Sequence, residues 1–111
     1  MSNRSKKWVL SGKREFNAVF SGKKVRTPEA LFYYTPNSLG IGRLGLVVKK
    51  SFFDQAVIRN KLRRRLRELF RLFAHRLNGI DIVIVVRKSQ RVAEFGSLKR
   101  CFETLLTAAN R

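Results

Sequence analysis

Over residues 56–77, "AVIRNKLRRRLRELFRLFAHRL", the apolar residues Ile58, Leu62, Leu66, Leu69, Phe70, Phe73 and Leu77 recur mostly at steps of three and four. That spacing belongs to an α-helix with one apolar stripe, covering roughly a third of its circumference. The remaining arc carries Asn60, Lys61, Arg63, Arg64, Arg65, Arg67 and Arg71. Arg59 falls at the edge of the stripe, but in the first turn, where a side chain still reaches past the helix end. From Arg59 to Arg71 there are seven Arg or Lys residues and one acid, Glu68. The segment must therefore bury one side against another layer of structure and keep the other side out, against its own repulsion. Asp54 is a candidate N-cap, and Asn78–Gly79 is a natural stop.

The rest of the chain supplies the layer to bury it on. A short helix is expected over Ser11–Phe20, with Ser11 as cap and Phe16, Val19 and Phe20 on one face. "ALFYY" (30–34) and "RLGLVVKK" (43–50) read as strands, joined through the turn-rich "TPNSLGIG" into an expected hairpin. "IDIVIVVRK" (80–88) is apolar without alternation, which fits a central strand in a parallel setting, covered on both faces. A closing helix over Ser97–Ala109 has the buried stripe Leu98, Cys101, Phe102, Leu105 and Leu106. The order helix, strand, strand, helix, strand, helix predicts an α/β sandwich, helices packed on a small sheet. Residues 1–10 are expected to form a basic flexible N-terminus, and residues 11–111 a single α/β domain, as a length of 111 residues and 44% hydrophobic content imply.

Protein-borne catalysis finds few supports. The seven acids, Glu15, Glu29, Asp54, Glu68, Asp81, Glu94 and Glu103, make no close pair for a two-metal site. Glu68 has arginines three and four residues before it and three after, which suits helix ion pairs. His75 lies where a helix C-terminus favours a cation. Cys101 sits on an apolar stripe, and a single cysteine excludes an internal disulfide, in keeping with a reducing cytoplasm. "GIGRLG" opens no helix and is not a phosphate loop. The longest apolar run, "IVIVV", is too short to span a bilayer, and the N-terminus lacks the apolar region of a secretory signal. No catalytic residue and no protein metal site is expected.

A net charge of +18 calls for a polyanion, nucleic acid first and an anionic membrane second. Between Arg59 and Arg71 arginine outnumbers lysine six to one. Its planar fork grips phosphate oxygens and stacks on bases. A merely solvated face would interleave glutamates, and only Glu68 does so. Asn60, a poor helix former, is free to bond backbone, sugar or a base edge. Of the aromatics Phe16, Phe20, Phe32, Tyr33 and Tyr34, most suit a core. Alternation sends Tyr33 and Tyr34 to opposite faces of their strand, so one of them can lie on an open surface that stacks unpaired bases.

The stretch "RLGLVVKKSFFDQAVIRNKLRRRLRELFR" resembles the bacterial ribonuclease P protein subunit. The family signature, Arg-Asn-(Arg/Lys) followed by a basic run, is here Arg59, Asn60, Lys61, Leu62, Arg63, Arg64, Arg65, Leu66, Arg67, Glu68. "REFNAVFSGKKV", "TPNSLGIGRLG" and "DIVIVVRK" resemble the flanking parts of the family, and the likeness runs from about Ser11 to Ala109. It implies a two-layer α/β sandwich like the second domain of ribosomal protein S5, with a left-handed β-α-β crossover against the usual hand. It also implies an accessory subunit of an endoribonuclease: a cytoplasmic monomer, one copy per catalytic RNA, that binds this RNA and the 5′ leader of precursor tRNA. The RNA, with Mg²⁺, makes the cut that leaves the mature 5′ end, and the chain alone binds no cofactor. By resemblance, Arg59, Asn60, Lys61, Arg63, Arg64 and Arg67 contact the catalytic RNA. Lys49 and Lys50 match basic positions after a strand, and Phe16, Phe20 and Tyr33 line a leader-binding cleft. Lys61 departs from the family's arginine, keeping charge and losing the fork. Ser51 follows the lysines, where the family has a small residue before them.

A structural RNA-binding protein of ribosomal type, with no role in tRNA processing, shares the charge and the fold class. A DNA-binding regulator lacks the short preceding helix and glycine turn of a helix-turn-helix. Membrane binding would take the long helix's stripe away from the core.

Overall fold

The computed structural model describes residues 8–88 and 95–109, without the side chain of Phe95. Its elements are α1 (Gly12–Phe20), β1 (Lys23–Arg26), β2 (Ala30–Pro36), β3 (Arg43–Val47), α2 (Ala56–Leu72), β4 (Ile80–Val86) and α3 (Phe95–Ala109), with a 3-10 turn, Ala74–Arg76, after α2. The strands form one sheet in the order β1-β2-β4-β3. β2 runs antiparallel to β1 and β4, while β3 runs parallel to β4. Helix α2 is thus the crossover of a parallel β3–α2–β4 unit.

The expected hairpin of "ALFYY" with "RLGLVV" does not form, because β4 lies between them. Two neighbouring strands joined by a turn-rich loop looked like a pair. Yet the most apolar strand takes the centre, where both of its edges and both of its faces are covered. The true hairpin joins β2 to β1, a strand that carries only one apolar residue, Val25, and so gave no alternation to read. Val25 pairs with Phe32, and Thr27 closes the turn: its Oγ1 donates to the Ala30 carbonyl at 2.8 Å and accepts from the Ala30 N–H at 3.0 Å.

Burial alternates along β2, with Ala30, Phe32 and Tyr34 inside and Leu31, Tyr33 and Thr35 half-buried. The first set faces the main core, together with Ile82, Ile84 and Val86 of β4. Onto it pack Leu62, Leu66, Leu69 and Phe70 of α2 and Leu98, Cys101, Phe102, Leu105 and Leu106 of α3, the stripes expected from the sequence. Phe102 meets Phe32 edge-on at 5.5 Å and stacks on Phe73 at 6.0 Å, tying sheet and both helices together. On the opposite face α1 packs through Val19 against Val83, with Leu10, Phe16, Tyr33, Val47 and Val85 around them. Only part of that face is covered.

The helix ends differ from expectation. α2 begins at Ala56 with Gln55 at the cap position, and no side chain caps it. Asp54 gives only its carbonyl, which accepts from Arg59 Nη1 at 3.0 Å. Ser11 does occupy the cap position of α1, but its hydroxyl makes no cap bond; its N–H donates to Glu15 Oε1 at 2.7 Å instead. α2 ends at Leu72 and passes into the 3-10 turn Ala74–Arg76, so Asn78–Gly79 is not its stop; Gly79, at φ +78, makes the turn into β4 instead. Of the expected flexible segment 1–10, residues 1–7 lie outside the described residues. Residues 8–10 are docked: Leu44 N–H donates to the Trp8 carbonyl at 2.7 Å, Leu10 N–H donates to the Leu44 carbonyl at 2.9 Å, and Leu10 is buried.

Candidate nucleic-acid interface

Because the stripe of α2 is locked into the core, its cationic arc is held outward. Asn60, Arg64 and Arg67 are exposed, and Lys61 and Arg63 are half-buried. Arg59 is partly committed elsewhere: its Nη1 donates to the carbonyls of Phe53 at 2.7 Å and Asp54 at 3.0 Å, fastening the loop before the helix. The guanidinium of Arg71 lies 5.7 Å from the Trp8 ring centroid, and Trp8 stacks on Phe70 at 5.7 Å. The docking of Trp8 on the basic helix was not legible in the sequence; the apolar "WVL" at 8–10 was its only trace.

The three expected cleft aromatics do come together. Phe20 meets Tyr33 edge-on at 4.9 Å and Phe16 at 6.4 Å, and Lys24 Nζ lies 5.6 Å from the Tyr33 centroid. Tyr34 turns into the core, so Tyr33 is the tyrosine on the open face. Phe16 lies directly over Gly45: a Cβ there would come within 2.6 Å of the ring's Cζ. Gly45 is therefore what lets α1 approach the sheet, a role its place in "RLGLVV" did not reveal.

Past α1 the open face continues into a groove of about 370 Å³ lined by Leu31, Lys49, Phe52, Val85, Arg87 and Lys88. Lys49 Nζ sits 5.3 Å from the Phe52 ring centroid. The turn that places them is closed by the N–H groups of Phe52 and Phe53, both donating to the Lys49 carbonyl at 3.1 Å. Lys50 is exposed beside it. The sequence pointed to the lysines but not to Phe52, Arg87 and Lys88, which join them only through the parallel pairing of β3 with β4.

A third feature links these regions. A crevice of about 170 Å³ is lined by Arg63 and Arg67 of α2, Phe16 of α1, Trp8–Leu10 and Leu44–Leu46. The cationic arc and the aromatic cleft thus adjoin across edge strand β3.

Glu68 stands exposed on α2 beside the arginines, whereas Asp81, Glu15 and Glu29 are taken up within the fold. Arg43 donates from Nε and Nη2 to the two oxygens of Asp81, at 2.9 and 2.8 Å, and from Nη1 to Glu15 at 3.0 Å. Asn37 Nδ2 also donates to Asp81. Burial pushes the Asp81 carboxyl up, but the bonds from Arg43 and Asn37 outweigh it and hold it below its ordinary value. The hydrogen bond to Asp81 raises Arg43, against the opposing effect of burial. Glu29 is buried and accepts from Cys101 Sγ at 3.2 Å. Among the described residues no three His, Cys, Asp or Glu cluster to hold a metal ion, and no helix is long and apolar enough to cross a membrane. His75 is exposed.

The family model described as Ribonuclease P matches residues 5–110. The chain belongs to the ribonuclease P protein family. The ribonuclease P protein component of Caldanaerobacter subterraneus subsp. tengcongensis is 39% identical over 93% of this chain and 90% of its own length. That of Ectopseudomonas mendocina is 40% identical over 83% and 70%. Among solved structures, an RNase P protein mutant of Staphylococcus aureus with defective mRNA degradation activity superposes with a TM-score of 0.82 at 25% identity, covering 98% of this chain and 93% of the other. The RNase P protein of Thermotoga maritima gives 0.76 at 32% identity, covering 89% and 94%. The family's fold is the one described above: a four-stranded mixed sheet with three helices.

Proposed function

We propose that this chain is the protein subunit of a ribonuclease P that removes the 5′ leader from precursor tRNA. Its α2 arc (Arg59, Asn60, Lys61, Arg63, Arg64, Arg67) binds the catalytic RNA. The cleft of Phe16, Phe20 and Tyr33, continued by Lys49, Lys50, Phe52, Arg87 and Lys88, receives the single-stranded leader. The arc's forks grip phosphates, the rings offer stacking faces to unpaired bases, and the lysines track the backbone between them. The chain's work is to bind, orient and neutralise. Mg²⁺ and bond cleavage belong to the RNA, and one cytoplasmic protein copy serves each RNA.

The observation that carries this reading is the shared crevice. A general RNA-binding face needs only the arc, whereas a subunit that spans catalyst and substrate needs two differently built surfaces meeting at one place. Arg63 and Arg67 line the same crevice as Phe16. The test is cleavage of precursor tRNA by ribonuclease P RNA at low Mg²⁺, with and without the purified chain. Faster cleavage with the chain is expected; no gain over RNA alone refutes the reading. A ribosomal role would instead predict co-sedimentation with ribosomal subunits and no such gain.

A further inference from the structure

Edge strand β3 carries main-chain groups for which the described residues offer no backbone partner. Leu44 spends its N–H and its C=O on Trp8 and Leu10, away from β4. In a parallel ladder both groups of one residue point to the same side, and successive residues alternate. Arg43, Gly45 and Val47 therefore serve the ladder with β4, and Leu46 points outward like Leu44. The strap formed by residues 8–10 ends at Ser11, where the chain turns into α1. Among the described residues no backbone group outside the sheet bonds the N–H or C=O of Leu46.

Leu46 lines the crevice together with Arg63, Arg67 and Phe16. A bare strand edge normally invites another strand. Here α1 and α2 close in from the two sides, and the space of about 170 Å³ is smaller than an ordinary ligand pocket. It suits one flat ring. The Watson–Crick edge of a nucleobase presents a neighbouring donor and acceptor, complementary to an outward N–H and C=O pair, and Phe16 offers an aromatic neighbour. Arg63 and Arg67 supply what a phosphate on the same nucleotide needs.

We propose that this crevice binds one unpaired nucleotide of single-stranded RNA, its base edge hydrogen-bonded to the main chain of Leu46 and its phosphate held by Arg63 or Arg67. The inference rests on the proposed function and deepens it, since this nucleotide lies where the catalytic-RNA arc meets the leader cleft. Main-chain recognition of this kind tolerates any base, as a leader of variable sequence requires.

The test is amide hydrogen exchange of the full-length chain, residue by residue, free and saturated with oligouridylate or oligoadenylate. The Leu46 amide is expected to exchange readily in the free chain and to slow by roughly tenfold or more with either oligonucleotide. Unchanged exchange with RNA bound, or no binding of either oligonucleotide, overturns the proposal. Equal protection by inorganic phosphate would also overturn it, because the crevice would then be an anion site only. As a second arm, Leu46→Pro removes the outward N–H at an edge position where proline costs no ladder bond, and Leu46→Val keeps it. About tenfold weaker oligonucleotide binding is expected for the proline variant alone; equal affinities refute the main-chain contact. Should the proline variant not fold, the exchange experiment on the unaltered chain decides. Unaltered chain that still assists precursor cleavage while Leu46 stays unprotected sinks the crevice and spares the ribonuclease P reading. Loss of assistance sinks that reading itself.

Discussion

Replacing Arg43 by methionine keeps most of its aliphatic volume and removes the fork that joins β3, β4 and α1. Asp81 is left with Asn37 as its remaining side-chain partner, in a site where its side chain is 9% exposed and that of Arg43 19%. Stripping one partner from a buried ion pair costs about 3–5 kcal/mol. Residual solvent access favours the lower end, and the Glu15 arm, at 35% exposure, adds only about 0.5 kcal/mol. The expected loss is about 3 kcal/mol, or about 1.5 M in urea midpoint for a slope near 2 kcal/mol/M. The pH dependence gives a second readout. The folded Asp81 carboxyl titrates below its unfolded value, near 3.9 for an aspartate. Its stabilisation is therefore complete above about pH 4 and is lost as pH falls through the folded pKa. In the Arg43→Met chain burial prevails and raises the carboxyl, so the gap between the two proteins should begin to narrow above about pH 4 and go on narrowing as pH falls through the folded pKa of the unaltered chain. Urea titrations followed by circular dichroism across this range, together with Asp81→Asn and the double variant, measure both effects. A loss under about 1 kcal/mol, additive single effects, or a gap independent of pH would refute the reasoning. Since Glu15 precedes Phe16, weaker binding of a leader oligonucleotide should accompany the loss.

Exposed Arg64 should act through phosphate: Arg64→Ala is expected to weaken binding to the catalytic RNA and to flatten the plot of log affinity against log salt by about 0.7–0.9; an unchanged slope would rule out a phosphate contact. Gly45→Ala puts a methyl 2.6 Å from the Phe16 ring tip, so the ring must swing aside. Overpacking should cost about 1–3 kcal/mol in a melt, with weaker leader binding and unchanged affinity for the catalytic RNA, and full leader affinity would show that Phe16 is not a cleft wall. Burial pushes the Cys101 thiol up to about 11, against a hydrogen bond from Thr27. A disulfide reagent at neutral pH should therefore label it only as the chain unfolds, and labelling at the rate of a free thiol would contradict its burial.

Helix α2 was the most legible part of the molecule. Its stripe and arc are set by residue spacing alone, and both stand where a 3.6-residue period puts them as far as Leu72; Phe73 and Leu77 reach the core from beyond the helix end. The opposite fates of Tyr33 and Tyr34 follow from strand alternation in the same way, and so does the stripe of α3. The β1 strand stayed hidden because a mostly exposed edge with one apolar residue leaves no period. The hairpin expected of β2 and β3 failed because pairing is a contest among all strands, won at the centre by the most apolar one, β4. By itself the sequence determined which faces are apolar, how much positive charge must stay outside, and which family signature the basic helix carries. The tertiary structure alone decided that Trp8 docks under Arg71, that Phe16 rests on Gly45, that Arg87 and Lys88 join Lys49 and Phe52, and that Leu46 reaches the surface beside Arg63 and Arg67. These are meetings of residues distant along the chain. Local periodicity carries no information about them; they arise when the strand order is chosen and the backbones close to packing distance.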